Sequence, residues 1–116
     1  MPVYLSRAKT VFRNIVWGVC MPESNFSLGS GSRSINIPGI TVTPRQIIEA
    51  LETHGGPEAL KLVSYAKDPA VIAICETWAG SFDNSEFLAM GFEVDDAKTG
   101  FADAVQDFKE ELAASK

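Results

Sequence analysis

His54 is the only histidine among 116 residues, and that scarcity removes whole classes of chemistry. A zinc site gathers several His, Cys or carboxylate ligands, and nucleophilic triads are built around an imidazole oriented by an acid. With no second histidine and no cysteine near it in the chain, His54 reads as a helix-end residue favourable to the helix dipole; no metal site is expected. Cysteine is scarce too. Cys20 and Cys75 lie far apart, each on what reads as an apolar helix face, which points to buried free thiols in a reducing, cytoplasmic setting. Basic residues are outnumbered, ten Lys and Arg against fifteen Asp and Glu, for a net charge of -5 without any Lys/Arg block. A phosphate-backbone footprint needs such a block, so nucleic acid is not an expected partner. Long apolar runs are missing as well. The N-terminal stretch MPVYLSRAKTVFRNIVWGVCMP is interrupted by Arg7, Lys9, Arg13 and Asn14, which neither a membrane span nor the core of a signal peptide would carry; no membrane association is expected.

Glycine is present, but not in the pattern that cradles a pyrophosphate. Gly29 and Gly31 make only G-x-G inside the Ser/Gly-rich run 24–34, with no third glycine and no preceding strand. That run, about 23–34, reads as a flexible surface loop. The next stretch, SINIPGITVTPRQIIEAL (34–51), has the outline of a nucleotide-binding strand-turn-helix. Ile35 and Ile37 alternate as in a strand ended by Pro38-Gly39. Thr43 then serves as N-cap, Pro44 takes the first helical position, Gln46 completes a capping box, and Val42 is placed to staple onto Ile47. The unit nevertheless lacks glycines for close approach of a backbone to phosphate, and Pro44 removes one amide that would bind an anion. It reads as structure, and no cofactor site is expected in this chain.

The remaining segments complete a small α+β domain over 1–116, mostly helical with two or three short strands. Val3, Tyr4 and Leu5 suit a strand, and Ser6 can cap a helix from about Arg7 to Val19. Val11, Phe12, Ile15, Val16 and Val19 fall at helical spacing there and predict a half-buried face. Ile47, Ile48 and Leu51 form the inward stripe of the next helix, closed by Gly55-Gly56. Pro57 to Lys61 makes a short helical turn and Leu62 to Tyr65 a further strand candidate. Asp68-Pro69 opens a helix with Val71, Ile72, Ile74 and Cys75 inward, ending near Trp78. Ser81 or Asp83 caps a short helix that stops at Gly91, and Phe101, Val105, Phe108 and Leu112 mark an amphipathic C-terminal helix. With 46% hydrophobic residues, a chain of this length can build a core without staples.

Few groups look chemically active. The pairs Asp95-Asp96 and Glu110-Glu111 read as solvated acids on polar faces. Catalysis of the short-chain dehydrogenase type needs a Tyr and a Lys one helical turn apart, so that the ammonium lowers the tyrosine pKa. Here Tyr4 and Lys9 are five apart and Tyr65 and Lys67 two apart. Trp78 and Phe82 stand around a glycine turn, where large aromatics either wall a pocket or pack helices together.

Three segments, VYLSRAKTVFRNI, INIPGITVTPRQIIEAL and DPAVIAICETWAGSFDNSEFLAMGF, together resemble the C-terminal substrate-binding portion of the extended short-chain dehydrogenase/reductases, the NAD-dependent epimerase/dehydratase family. Within it they are most similar to the D-erythronate dehydrogenase-like branch, over about Val3 to Leu112. The resemblance implies an enzyme whose Rossmann domain binds NAD(P) and supplies the catalytic Ser/Thr, Tyr and Lys, while the portion seen here closes over a small sugar acid. It implies substrate-cleft roles for Ser6, Trp78 and Phe82, and no catalytic residue in this chain. Many family members hold a nucleotide-sugar diphosphate with an arginine near the position of Trp78 to Phe82; no arginine follows Arg45 here, which favours the sugar acid. A stand-alone or truncated subdomain of this kind is expected either to meet a Rossmann-domain partner or to act without catalysis, through homo-oligomerisation or a protein partner.

Overall fold

A computed structural model of the protein describes residues 2–26 and 34–116. Its elements run β1 (Val3–Leu5), α1 (Ala8–Cys20), a 3-10 turn (Glu23–Asn25), β2 (Ile40–Val42), α2 (Pro44–Gly55), α3 (Pro57–Leu60), α4 (Pro69–Cys75), α5 (Ser85–Ala89) and α6 (Gly100–Ala114). This is the mostly helical α+β domain read from the sequence. The Gly29/Gly31 pair and most of the Ser/Gly-rich loop fall outside the described residues.

The two strands pair antiparallel, with Val3 opposite Val42, Tyr4 opposite Thr41 and Leu5 opposite Ile40. The second strand therefore begins after Pro38-Gly39, not before it, and Ile35 to Ile37 carry no regular structure. Pro38 has no N–H to give to a ladder. The Gly39 N–H donates instead to the Tyr4 hydroxyl at 2.6 Å, and its carbonyl accepts from the Asn84 amide at 2.9 Å. This buried corner delivers the chain into β2. Helix α2 starts as spelled: Thr43 and Gln46 form both halves of the capping box with Pro44 at its first turn. The strand expected over Leu62 to Tyr65 does not form, and both residues stand in solvent.

Buried apolar residues are few: Ile40, Val42, Phe87, Met90 and Phe92, with Trp17, Met21 and Ile35 packed on the last three. Helix α1 reverses its expected orientation. Its buried residues are Thr10 and Asn14, each 1% exposed, whereas Phe12, Ile15, Val16 and Val19 lie outside. The cause is what α1 packs against. Residues 92–95 form no helix or strand, and backbone groups there must be satisfied when buried. Asn14 does so with two bonds, donating to Glu93 O at 2.9 Å and accepting from Glu93 N at 2.8 Å. Trp17 Nε1 donates to Met90 O at 3.0 Å. Ser6 does not cap this helix; Arg7 is the N-cap residue, without a side-chain cap, and the cap arrives from Asp95, described below. The inward stripe expected on α4 is also exposed at Val71, Ile72 and Ile74. Cys20 is exposed and Cys75 half-buried, so neither thiol is the buried one expected.

The outcome is a chain with too much surface for its mass. Its accessible area is 8388 Å², against about 6,200 Å² for a self-contained folded protein of 12.5 kDa. Its radius of gyration is 17.0 Å, against about 13 Å for a compact domain of this length.

Helix α6 packs along α2 and is tied to α1 by charge. Asp107 receives Arg7 Nε and Nη2 at 2.9 and 2.7 Å on one oxygen and Lys9 Nζ at 2.8 Å on the other. Hydrogen bonds from Lys9 and then Arg7, with their charges, hold the Asp107 carboxyl below the ordinary aspartate value against partial desolvation. A depressed folded-state pKa contributes stability that is present above the unfolded value and lost as pH falls through the folded one. Acid titration followed by circular dichroism is expected to show stability dropping below about pH 4, the unfolded aspartate value, and Asp107→Asn is expected to flatten that limb. An unchanged acid limb in D107N would place the sensitivity elsewhere.

Candidate functional site

The chain leaves α4 through a turn in which Trp78 N–H donates to Cys75 O at 3.1 Å. Gly80 is then fixed to the sheet by Thr41 Oγ1, which donates to its carbonyl at 2.7 Å. That anchor brings Phe82 against β1: the Phe82 and Tyr4 rings lie 4.7 Å apart between centroids and tilted by 58°. Pro2, Val3, Tyr4, Trp78, Ala79 and Phe82 line an open cleft of about 360 Å³. Trp78 is 62% exposed and Phe82 51% exposed. The Tyr4–Phe82 pair is also a wall of a second hollow of about 370 Å³, bounded by Ile35, Asn36 and Ile37.

Trp78 and Phe82 thus share one cleft. Ser6 is not among its lining residues, and its hydroxyl donates to Asp95 Oδ2 at 3.3 Å. Tyr4 joins the aromatic pair, a role the sequence reading did not give it. No short window of sequence carried that signal: Val3 and Tyr4 both line the cleft, and the turn that meets them is held to the sheet by the Thr41–Gly80 bond. Its hydroxyl is committed, donating to Asn84 Oδ1 while accepting from the Gly39 amide, so the ring and not the phenol is offered to the cleft.

The walls are apolar and aromatic, the usual lining for burying the carbon side of a small ligand. No Lys or Arg lines the cleft, whereas a carboxylate is typically held by charge-assisted bonds from such groups. The cleft therefore offers an apolar, aromatic wall and no cation. Another hollow, of about 300 Å³ between α2 and α6, has Gln46, Glu49, His54 and Lys98 along its rim. Gln46 is already occupied there, accepting the Thr43 amide at 2.8 Å.

Tyr4 is engaged as above, and Lys9 Nζ is paired with Asp107 and Glu110, so these two form no phenol–ammonium pair. Asp95 and Asp96, read as solvated acids, are structural. Asp95 is buried and accepts from Thr10, Arg7 and Ser6, while Asp96 accepts from the amides of Lys98 and Thr99 ahead of α6. Among the described residues no helix is long and apolar enough to cross a membrane.

No known protein-family profile and no solved structure matches the chain. Two proteins do. D-erythronate dehydrogenase of Haemophilus influenzae is 31% identical over 108 residues, which cover 93% of this chain and 32% of that protein. D-erythronate dehydrogenase of Cupriavidus necator is 29% identical over 84 residues, covering 72% of this chain and 25% of that protein. The chain spans about a third or less of the relatives it matches, a share consistent with a C-terminal portion, and its sequence is similar to part of the D-erythronate dehydrogenases.

Proposed function

We propose that this chain is the substrate side of a dehydrogenase acting on a small sugar acid, with Trp78, Phe82 and Tyr4 forming one wall of the substrate cleft. The observation that carries the reading is the match itself: nearly all of this chain aligns with a third of an enzyme named for oxidising D-erythronate. The half-built cleft supports it. Aromatic walls without a cation suit the carbon side of such a ligand and leave its carboxylate and the hydride acceptor to a Rossmann-domain partner, which binds NAD(P). The geometry favours Trp78 and Phe82 over Ser6, whose hydroxyl Asp95 engages. The chain alone transfers no hydride.

Amide NMR of the isolated chain, titrated first with NAD and then with D-erythronate, tests this. Shifts at Tyr4, Trp78 and Phe82 are expected with millimolar sugar acid and not with NAD, and Trp78→Ala is expected to remove them. Tight NAD binding by this chain, or a dispersed spectrum indifferent to the acid, would sink the proposal.

A further inference from the structure

Asn36 stands between two isoleucines, ahead of Pro38. Burial alternates along the segment, with Ile35 and Ile37 half-buried and Asn36 exposed, as for extended backbone whose side chains point to opposite sides in turn. The three residues bound the hollow of about 370 Å³ that shares the Tyr4–Phe82 ring pair with the Trp78 cleft. Asn36 is therefore a polar side chain set beside an aromatic wall.

The backbone on either side of it is pinned. Ile35 packs on Phe87, Met90 and Phe92. Pro38 is below 2% exposed and leads into Gly39, whose amide is bonded to Tyr4 and whose carbonyl is bonded to Asn84. The segment is thus tied to the Tyr4 side of the ring pair, and Asn36 is carried at a set place beside it. The other polar groups of the two hollows have less to offer a ligand. The Tyr4 hydroxyl is spent on Asn84 and Gly39, and the Trp78 indole can only donate. The Asn36 amide is exposed and has no partner among the described residues.

A carboxamide presents an acceptor oxygen and two N–H donors in one plane. Two adjacent hydroxyls use both ends of it, one giving its proton to Oδ1 while the other accepts from Nδ2. A lone hydroxyl engages one end, and a carboxylate has no proton to give to Oδ1. The geometry points to Asn36 as a specificity-determining residue that reads a vicinal diol on the ligand, so that the class selected is a polyhydroxy acid rather than an acid with a single hydroxyl. This rests on the proposed function, under which Tyr4, Trp78 and Phe82 wall the carbon side of a small sugar acid.

Amide NMR titration of the 116-residue chain measures the affinity ratio between D-erythronate and butanoate, which has the same carbon chain without hydroxyls. Asn36→Leu keeps the size of the side chain and cannot hydrogen-bond. It is expected to move that ratio about 10-fold toward butanoate, the worth of two net hydrogen bonds. The Asn36 side-chain NH2 signals of the parent chain are expected to shift with D-erythronate and not with butanoate. Asn36→Asp keeps the shape and loses the donors, and its charge repels both acids alike. It is expected to move the ratio the same way, by about threefold. Asn36 is exposed and unbonded, so both variants should keep the circular dichroism of the parent. A ratio shifted in N36L and untouched in N36D would trace the effect to the apolar contact of leucine and overturn the inference, as would a ratio unchanged in both. α-Hydroxybutanoate, with its single hydroxyl, is expected to lose about threefold or less in N36L; a loss as large as that of D-erythronate would overturn the diol reading. In each of these cases the acids still shift Trp78 and Phe82, and the proposed function stands. Acids that shift neither aromatic residue would refute the proposed function and take the inference with it.

Discussion

Replacing Asp95 with alanine is expected to cost about 2–4 kcal/mol in urea unfolding, because it orphans buried donors and an entire helix start together. Asp95 is 7% exposed and reaches the beginning of α1 from far along the chain. Its Oδ1 takes the Thr10 hydroxyl at 2.6 Å, while Oδ2 takes the Arg7 amide at 2.8 Å and the Ser6 hydroxyl at 3.3 Å. A negative charge at a helix N-terminus is further favoured by the helix dipole. Asp95→Asn separates the contributions. Its amide oxygen can still accept from Arg7, and its NH2 can donate to Thr10, whose hydroxyl turns to accept, so the geometry survives and only the charge is lost. The expected cost is about 1 kcal/mol. If N and A variants at this position were equally destabilised, the charge rather than the bonding pattern would be the dominant contribution. Equal and negligible losses would mean that α1 docks without this cap.

The same carboxylate shows where sequence reading stops. Local signals were legible: the capping box at Thr43–Gln46, the Asp68-Pro69 start of α4 with the Asp68 side chain accepting from Ala70 and Val71, and the halt at Gly91. Each depends on a few neighbouring residues, and so each is written in a short window. The cap of α1 comes from a residue 88 positions away, which no window contains, and Ser6 was the nearest local substitute. Orientation failed for a related reason. Hydrophobic periodicity finds the apolar side of a helix but not what faces it. On α1 and α4 the apolar side was found correctly and placed inward, as is usual in a complete domain. In the packed unit both sides face outward. The candidate site was legible in the same partial way: Trp78 and Phe82 stood out as aromatics around a glycine turn. Tyr4 did not, because its place depends on the Thr41–Gly80 bond that folds that turn onto β1.

Gly91→Ala is expected to be at least as damaging, about 2–6 kcal/mol, and for two separable reasons. Gly91 has φ +96, a backbone conformation in which a side chain costs about 1–3 kcal/mol. A Cβ there would also stand 2.8 Å from Trp17 Cζ2 and 3.0 Å from Cε2, and overpacking of that order adds about 1–3 kcal/mol. The indole cannot simply withdraw, because Trp17 Nε1 is bonded to Met90 O in the residue before the glycine, and the ring packs on Phe87, Met90 and Phe92. Gly56 supplies the control within the same molecule. Its φ is +85, yet a Cβ there would meet nothing within 4 Å, so Gly56→Ala carries the backbone cost alone. Gly56, at ψ 165, sits where a side chain is strongly disfavoured by the backbone alone, so an excess of G91A over G56A in equilibrium unfolding would have to come from the clash with Trp17. Combining G91A with Trp17→Leu should recover part of that excess, because neighbouring substitutions in contact do not add. If G91A and Trp17→Leu proved simply additive, the indole would be free to swing aside, and the contact between α1 and the Met90–Phe92 segment would be looser than its hydrogen bond indicates.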